Sequence, residues 1–222
     1  MSGSGVSENA TVSDVTAPCR RSSDDGCSSR RQSRGWVTLI AGSGSPTCRY
    51  FSDWWAPGSK TGRVTIAIYP GSFDPVHVGH LGVIERGAGK FDELVVAVMA
   101  NPAKAGFLGV AQRVRLIRQA TSQLVNVRCC AHDGLAVDAA RAEGADVIVR
   151  SAVKEWQAEI SMAAHNKRIS GIETIMIAAD AATAWVSSTL IRSLARDRNY
   201  NELQRLVPAA VLAALDVRYP SG

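Results

Sequence analysis

Two histidines three residues apart, His77 and His80, close the stretch "AIYPGSFDPVHVGH" from Ala67 to His80. Imidazoles so spaced can ligate a metal, pack in a core or donate hydrogen bonds to an anion. Helical spacing of three puts both rings on one face, pointing into one cleft. The orphan N–H groups and positive dipole of a helix starting here favour a phosphate. Gly71 and Gly79 are read as letting the backbone approach that ligand closely. Zinc is the competing use, but the common helical pair has spacing four and no further ligand follows at a sensible distance. Lys104 in "NPAK" lies in a loop, where a lysine is more often solvated than functional, and Arg150 closes the apolar run "DVIVR". Arg150 is costly to place there without a partner, and its guanidinium offers two parallel hydrogen bonds.

Elements that position these residues begin near Val64. Strands are expected at Val64–Tyr69, Leu94–Ala100, Val125–Cys129, Asp146–Arg150 and Thr174–Ala178. Helices are expected at Val78–Gly89, Ala111–Ser122, Ala136–Glu143, Glu155–Ile169 and Ser187–Ala195, from apolar residues recurring at helical spacing. Strict alternation forces parallel pairing with right-handed crossovers, giving a doubly wound α/β sheet of five parallel strands. Ligands in such sheets bind beyond the carboxyl ends of the strands, where strand order reverses. The histidines, Lys104 and Arg150 all fall at those ends.

The rest of the composition narrows the class. The chain has 222 residues, 46% of them hydrophobic and 20% charged, which suits one ordinary globular domain. No run approaches the roughly 18 to 20 apolar residues of a bilayer span. The net charge of +5 is spread along the chain, so small phosphorylated ligands explain it at least as well as nucleic acid. The aromatics form no stacking platform among basic residues, which argues against RNA. Five cysteines, with Cys129 and Cys130 adjacent, show no CxxC or Cys/His metal spacing and suit a reducing cytoplasm. Residues 1–62, rich in Ser, Gly and Arg and without apolar period, are expected to be a disordered or non-native extension, with natural translation starting near Val64. Residues 63–222 form the domain.

Two stretches carry a family resemblance. "YPGSFDPVHVGH" has the (T/H)xGH signature of the nucleotidyltransferase superfamily, and "VSSTLIR", Val186 to Arg192, resembles its ISSTxxR signature. They stand in order, about a hundred residues apart, each after a strand. Within the superfamily the chain most resembles the bacterial phosphopantetheine adenylyltransferases, on "FDELVVAVMANPAK", "AQRVRLIRQAT", "VDAARAEGADVIVR" and "HNKRISGIET". The likeness runs from about Thr65 to Leu215.

The resemblance implies a Rossmann-like fold and transfer of the adenylyl group of ATP to 4'-phosphopantetheine, giving dephospho-coenzyme A and pyrophosphate. It implies His80, Lys104 and Arg150 as catalytic residues, with His80 donating to an α-phosphate oxygen in the transition state. The ATP side would comprise Ser72, Phe73, His77, His80, the turn Ser151, Ala152, Val153 and Lys154, then Glu159 and the loop Thr183, Ala184, Trp185, Val186, Ser187, Ser188 and Thr189. Ser187 and Ser188 suit a helix cap. The acceptor side would comprise Ser72, Lys104, Ala136 and Arg150. Mg2+ would arrive on the ATP phosphates, with no protein-only metal site. A homo-oligomer, a hexamer in the family, is implied, in the cytoplasm, without nucleic acid or membrane partners.

The likeness fails at one turn. Where the family reads Arg-Gly-Leu-Arg, this chain reads Arg150-Ser151-Ala152-Val153-Lys154, so the second arginine is missing. Ala136 also replaces a larger apolar residue. These departures leave open a different phosphorylated acceptor, such as nicotinate mononucleotide, or a noncatalytic nucleotide-binding relative.

Overall fold

The structure, a computed structural model, describes residues 37–38, 64–100, 106–152 and 156–220. Five strands alternate with helices: β2 (Ile66–Gly71), α1 (Val78–Ala88), β3 (Glu93–Ala100), α2 (Val110–Ala120), β4 (Val127–Asp133), α3 (Ala136–Ala142), β5 (Val147–Ala152), α4 (Trp156–Ser170), β6 (Glu173–Ala178) and α5 (Ser188–Arg196). They pair parallel in the order β6-β5-β2-β3-β4. A two-residue strand, β1 (Val37–Thr38), adds antiparallel at the β6 edge. Two helices beyond the expected set follow, α6 (Tyr200–Leu206) and α7 (Ala209–Arg218).

Strand runs such as Leu94 to Val98 are buried on both faces, as parallel sheets between helical layers require. Alternation divides them. Ala67, Tyr69, Leu94, Val96, Val98, Val147 and Val149 face a large core completed by Val83, Ile84, Ile117, Ile191, Leu203 and Leu215 from α1, α2 and α5 to α7. Ile66, Ile68, Val95, Ala97, Cys130 and Ile148 face a smaller core completed by Val137, Ala139 and Ala140 of α3. The five-stranded doubly wound α/β sheet expected from sequence is the architecture.

Several strand ends lie further on than apolar content suggests. β2 runs through Gly71, β4 through Asp133 and β5 through Ala152, because ladder bonds to a neighbour carry polar and turn residues along. Strand order reverses between β2 and β5: the chain builds outward through β3 and β4, then returns to the other side of β2. The crevice that results lies beyond the carboxyl ends of β2 and β5 and holds the loop after β2.

Candidate active site

The loop from Ser72 to His77 leaves β2 at that crevice. Phe73 takes φ 47, a left-handed conformation costly for an aromatic residue. Its ring is buried edge-on against Tyr69 at 5.2 Å and His80 at 5.0 Å, which holds it there. A Cβ on Gly71 would lie 2.9 Å from that ring, and one on Gly79 would lie 3.1 Å from the His77 ring and 3.3 Å from the Thr183 carbonyl oxygen. Both glycines therefore admit protein groups, which corrects the expectation that they leave space for a ligand.

His77 is the N-cap residue of α1 but makes no side-chain cap bond. Its backbone carbonyl accepts from His80 and Leu81 instead. The two imidazoles stack at 3.8 Å, so they do not project side by side into a cleft as helical spacing suggested. His77 lies beneath, 5% exposed. Nδ1 of each ring is buried without a hydrogen-bond partner. Burial pushes His77 down to about 4; burial, then its neighbour His77, holds His80 well below the ordinary histidine range. Both rings are neutral at pH 7, and each has one N–H to donate.

That neutrality has a cost in acid. Unfolded histidines take up protons near pH 6.5, before the folded rings do, so the unfolded state binds more protons as pH falls. The stability contributed by neutral burial is complete above about pH 6.5 and lost as pH falls from there toward about 4. The urea midpoint is expected to drop between pH 7 and pH 5, with a shallower drop in His77→Gln. A midpoint flat across that interval in the unmodified protein counts against this account.

Five hydrogen bonds from distant elements fix the loop backbone and the residue at its centre. Arg113 Nη1 donates to the Ser72 carbonyl at 2.7 Å and Arg192 Nη1 to the Asp74 carbonyl at 2.7 Å. The Asp74 carboxylate accepts from the Phe107 and Leu108 N–H groups at 2.6 and 2.8 Å. Ser188 Oγ donates to the Pro75 carbonyl at 2.9 Å, in a bond that joins the second signature to the first. Asp74, Arg113 and Arg192 were not among the expected site residues. Arg113 had a legible signal, since it sits four before Ile117 on the apolar stripe of α2, where a cation needs a partner.

Across the crevice Arg150, in β5, donates from Nε and Nη2 to Glu159 of α4 at 2.7 and 2.9 Å, and from Nη1 to the Pro70 carbonyl at 3.3 Å. Arg150 and Glu159 were assigned to acceptor and ATP separately; the structure makes them one bidentate pair. Pro70 and Phe73 link it to the histidine side, because Pro70 stands one residue before the end of β2 and the Phe73 ring bridges to His80. The crevice thus carries a cation and a buried imidazole pair at the strand ends, an arrangement able to hold linked phosphates.

Residues 68–194 match the cytidylyltransferase-like family. A curated phosphopantetheine adenylyltransferase of Synechocystis is 38% identical over 159 residues, covering 70% of this chain and 99% of the relative. One of Heliobacterium modesticaldum is 39% identical over 159 residues, covering 70% and 94%. The chain belongs to the phosphopantetheine adenylyltransferase family. A crystal structure of a candidate nicotinate-nucleotide adenylyltransferase from Vibrio parahaemolyticus matches with a TM-score of 0.50 at 17% identity, over 69% of this chain and 99% of that one, and speaks to fold alone.

The remaining family positions fall as follows. Ser72 is exposed at the mouth of the loop. Ala136 opens α3, half-buried, and Ser151 follows Arg150 in β5. Lys104, Val153 and Lys154 lie outside the described residues, and for Ala152 only the backbone is described. In the β6–α5 loop, Thr183 and Ala184 are half-buried and Trp185 is 48% exposed with Nε1 donating to the Ala182 carbonyl. Val186 packs into the large core, so only its backbone can face a nucleotide. Ser187 caps α5 by accepting from the Leu190 N–H at 3.2 Å, whereas Ser188, expected to share the cap, is spent on Pro75. Thr189 accepts from Arg192 at 3.0 Å.

Proposed function

We propose that this phosphopantetheine adenylyltransferase family member transfers the adenylyl group of ATP to 4'-phosphopantetheine, releasing pyrophosphate and forming dephospho-coenzyme A. The observation that carries this reading is the union of the two signatures at the switch point, through Ser188 on Pro75, Arg192 on Asp74 and the close approach of Gly79 to Thr183. Family membership, with nearly the full length of the Synechocystis enzyme matched, supplies the acceptor.

In this reading the acceptor phosphate attacks the α-phosphorus in line, and the protein supplies position and charge neutralisation. His80 donates its single imidazole N–H to a non-bridging α-phosphate oxygen. Neutral burial suits that role, because the donor competes with no solvent and needs no proton of its own from bulk. Arg150 holds the acceptor phosphate, and Lys104 is assigned to the same phosphate by its match to the family lysine. Glu159 keeps the guanidinium fork oriented along Pro70 until the anion arrives. The helix α5 N-terminus and the 183–189 loop receive the β- and γ-phosphates. Magnesium enters on those phosphates: the nearby carboxylates of Asp74 and Glu159 are committed to backbone N–H groups and to Arg150. A homo-oligomer in the cytoplasm belongs to the same reading. Among the described residues no helix is long and apolar enough to cross a membrane.

Pyrophosphate release with ATP, magnesium and a panel of acceptors tests it. Release is expected with 4'-phosphopantetheine and not with nicotinate mononucleotide. Preference for the latter transfers the chain to another acceptor, and ATP binding without release from any acceptor removes catalysis. Within the same assay Arg150→Lys, which keeps the charge and loses the fork, is expected to raise the acceptor KM about ten-fold or more, by loss of a charge-assisted bond worth about 1.5 to 3 kcal/mol. An unchanged acceptor KM would place Arg150 off the acceptor.

A further inference from the structure

Away from the crevice, β4 turns a polar ladder toward α3. Strand alternation sets Arg128, Cys130 and His132 on one face, and Glu143, the C-cap residue of α3, meets all three. Arg128 pairs with both Glu93 and Glu143, taking Oε2 of the latter. The other oxygen, Oε1, lies 2.6 Å from His132 Nε2, and ligand atoms of Cys130, His132 and Glu143 all lie within 4.8 Å of one another. The Glu143 side chain is 4% exposed and that of His132 17%, while Cys130 is 3% exposed. Two carboxylates thus share one guanidinium, leaving a surplus negative charge beside a sulfur and an imidazole nitrogen.

We propose that Cys130, His132 and Glu143 form a binding site for one zinc-class divalent cation, which staples the outer strand β4 to the end of α3. Thiol, imidazole and carboxylate together are a donor set for zinc and not for magnesium. In a tetrahedral site with bonds of about 2.0 to 2.3 Å, neighbouring donors stand roughly 3.3 to 3.6 Å apart. The cluster reaches that by side-chain movements of about an ångström, the His132–Glu143 contact opening and the sulfur closing in. The thiol proton leaves as Cys130 ligates. Arg128 on Oε2 orients the carboxylate from outside the ligand set, as outer partners do at metal centres. Water fills the fourth position on the side of His132, the most exposed of the three donors. Spacing alone hid this site: the residue pair is Cys-x-His on a strand, and the third donor arrives from a helix end eleven residues beyond His132.

The test is cobalt titration of the full chain after removal of metals with a chelator. One equivalent of Co2+ giving a thiolate-to-cobalt charge-transfer band and tetrahedral visible bands is expected. Cys130→Ser should abolish the charge-transfer band, although Cys19, Cys27, Cys48 and Cys129 remain, and His132→Gln should weaken binding at least ten-fold. Persistence of the band in Cys130→Ser, or no band at excess cobalt, overturns the proposal. Circular dichroism reports whether each variant folds. Should Cys130→Ser fail to fold, zinc K-edge absorption of the unmodified protein decides: a shell of one sulfur with nitrogen and oxygen is expected, and a shell lacking sulfur overturns it. None of these readouts requires that the proposed reaction be correct.

Discussion

His80→Ala is expected to lower kcat by about a hundred- to a thousand-fold, the scale for losing one preorganised donor to a developing oxyanion. ATP affinity should stay within a few-fold of the unmodified enzyme, because the bond strengthens chiefly as charge builds on the five-coordinate phosphorus. The geometry supports that separation. The His80 ring is held by Phe73 on one side and His77 on the other, so truncation removes a donor from a frame anchored elsewhere. Single-turnover pyrophosphate release together with calorimetric ATP binding measures both quantities. Equal loss of binding and turnover would reassign His80 to ground-state recognition.

The second large effect concerns a residue that touches no substrate. In Asp74→Ala the N–H groups of Phe107 and Leu108 lose their acceptor, and Leu108 is buried. Leaving the buried Leu108 donor unsatisfied costs about 1 to 3 kcal/mol and the half-buried Phe107 donor less, so the free energy of unfolding should fall by roughly 1 to 5 kcal/mol. Asp74 is a positioning residue. Its carboxylate ties the His80 loop to the start of the segment that follows Lys104, so kcat should fall alongside stability. Asp74→Asn keeps one side-chain carbonyl acceptor and is expected to recover part of both. Amide exchange at Phe107 and Leu108 distinguishes this from general loosening: both should exchange far faster in Asp74→Ala at a denaturant concentration where the core amides stay protected. Protection unchanged at those two amides would contradict the clasp.

The hydrogen bonds on this loop explain how a short irregular stretch holds an aromatic residue at positive φ. Arg113 from α2, Arg192 and Ser188 from α5, and the Phe107–Leu108 backbone all bind a stretch of four residues, Ser72 to Pro75. An over-determined loop can carry local strain, which preorganises the His80 ring before substrate arrives.

The sequence by itself determined the alternation of five strands with helices, the parallel sheet, the placement of the histidine pair at a helix start and the position of each signature after a strand. These rest on local regularities: apolar period, turn residues, and the rule that strands separated by helices must run parallel. Only the tertiary structure decided who partners whom. Asp74 reaches Leu108 across 34 positions and Arg192 reaches Asp74 across 118, with no periodicity to announce either. Arg150 and Glu159 each look like a lone charge along the chain, and become a pair because α4 folds back over β5. Gly71 and Gly79, legible as special positions, had their neighbours reversed, since only packing shows that Phe73 and His77 fill the space a ligand was expected to use. Buried charges and glycines signal that something must lie close; the sheet and its layers decide what that is.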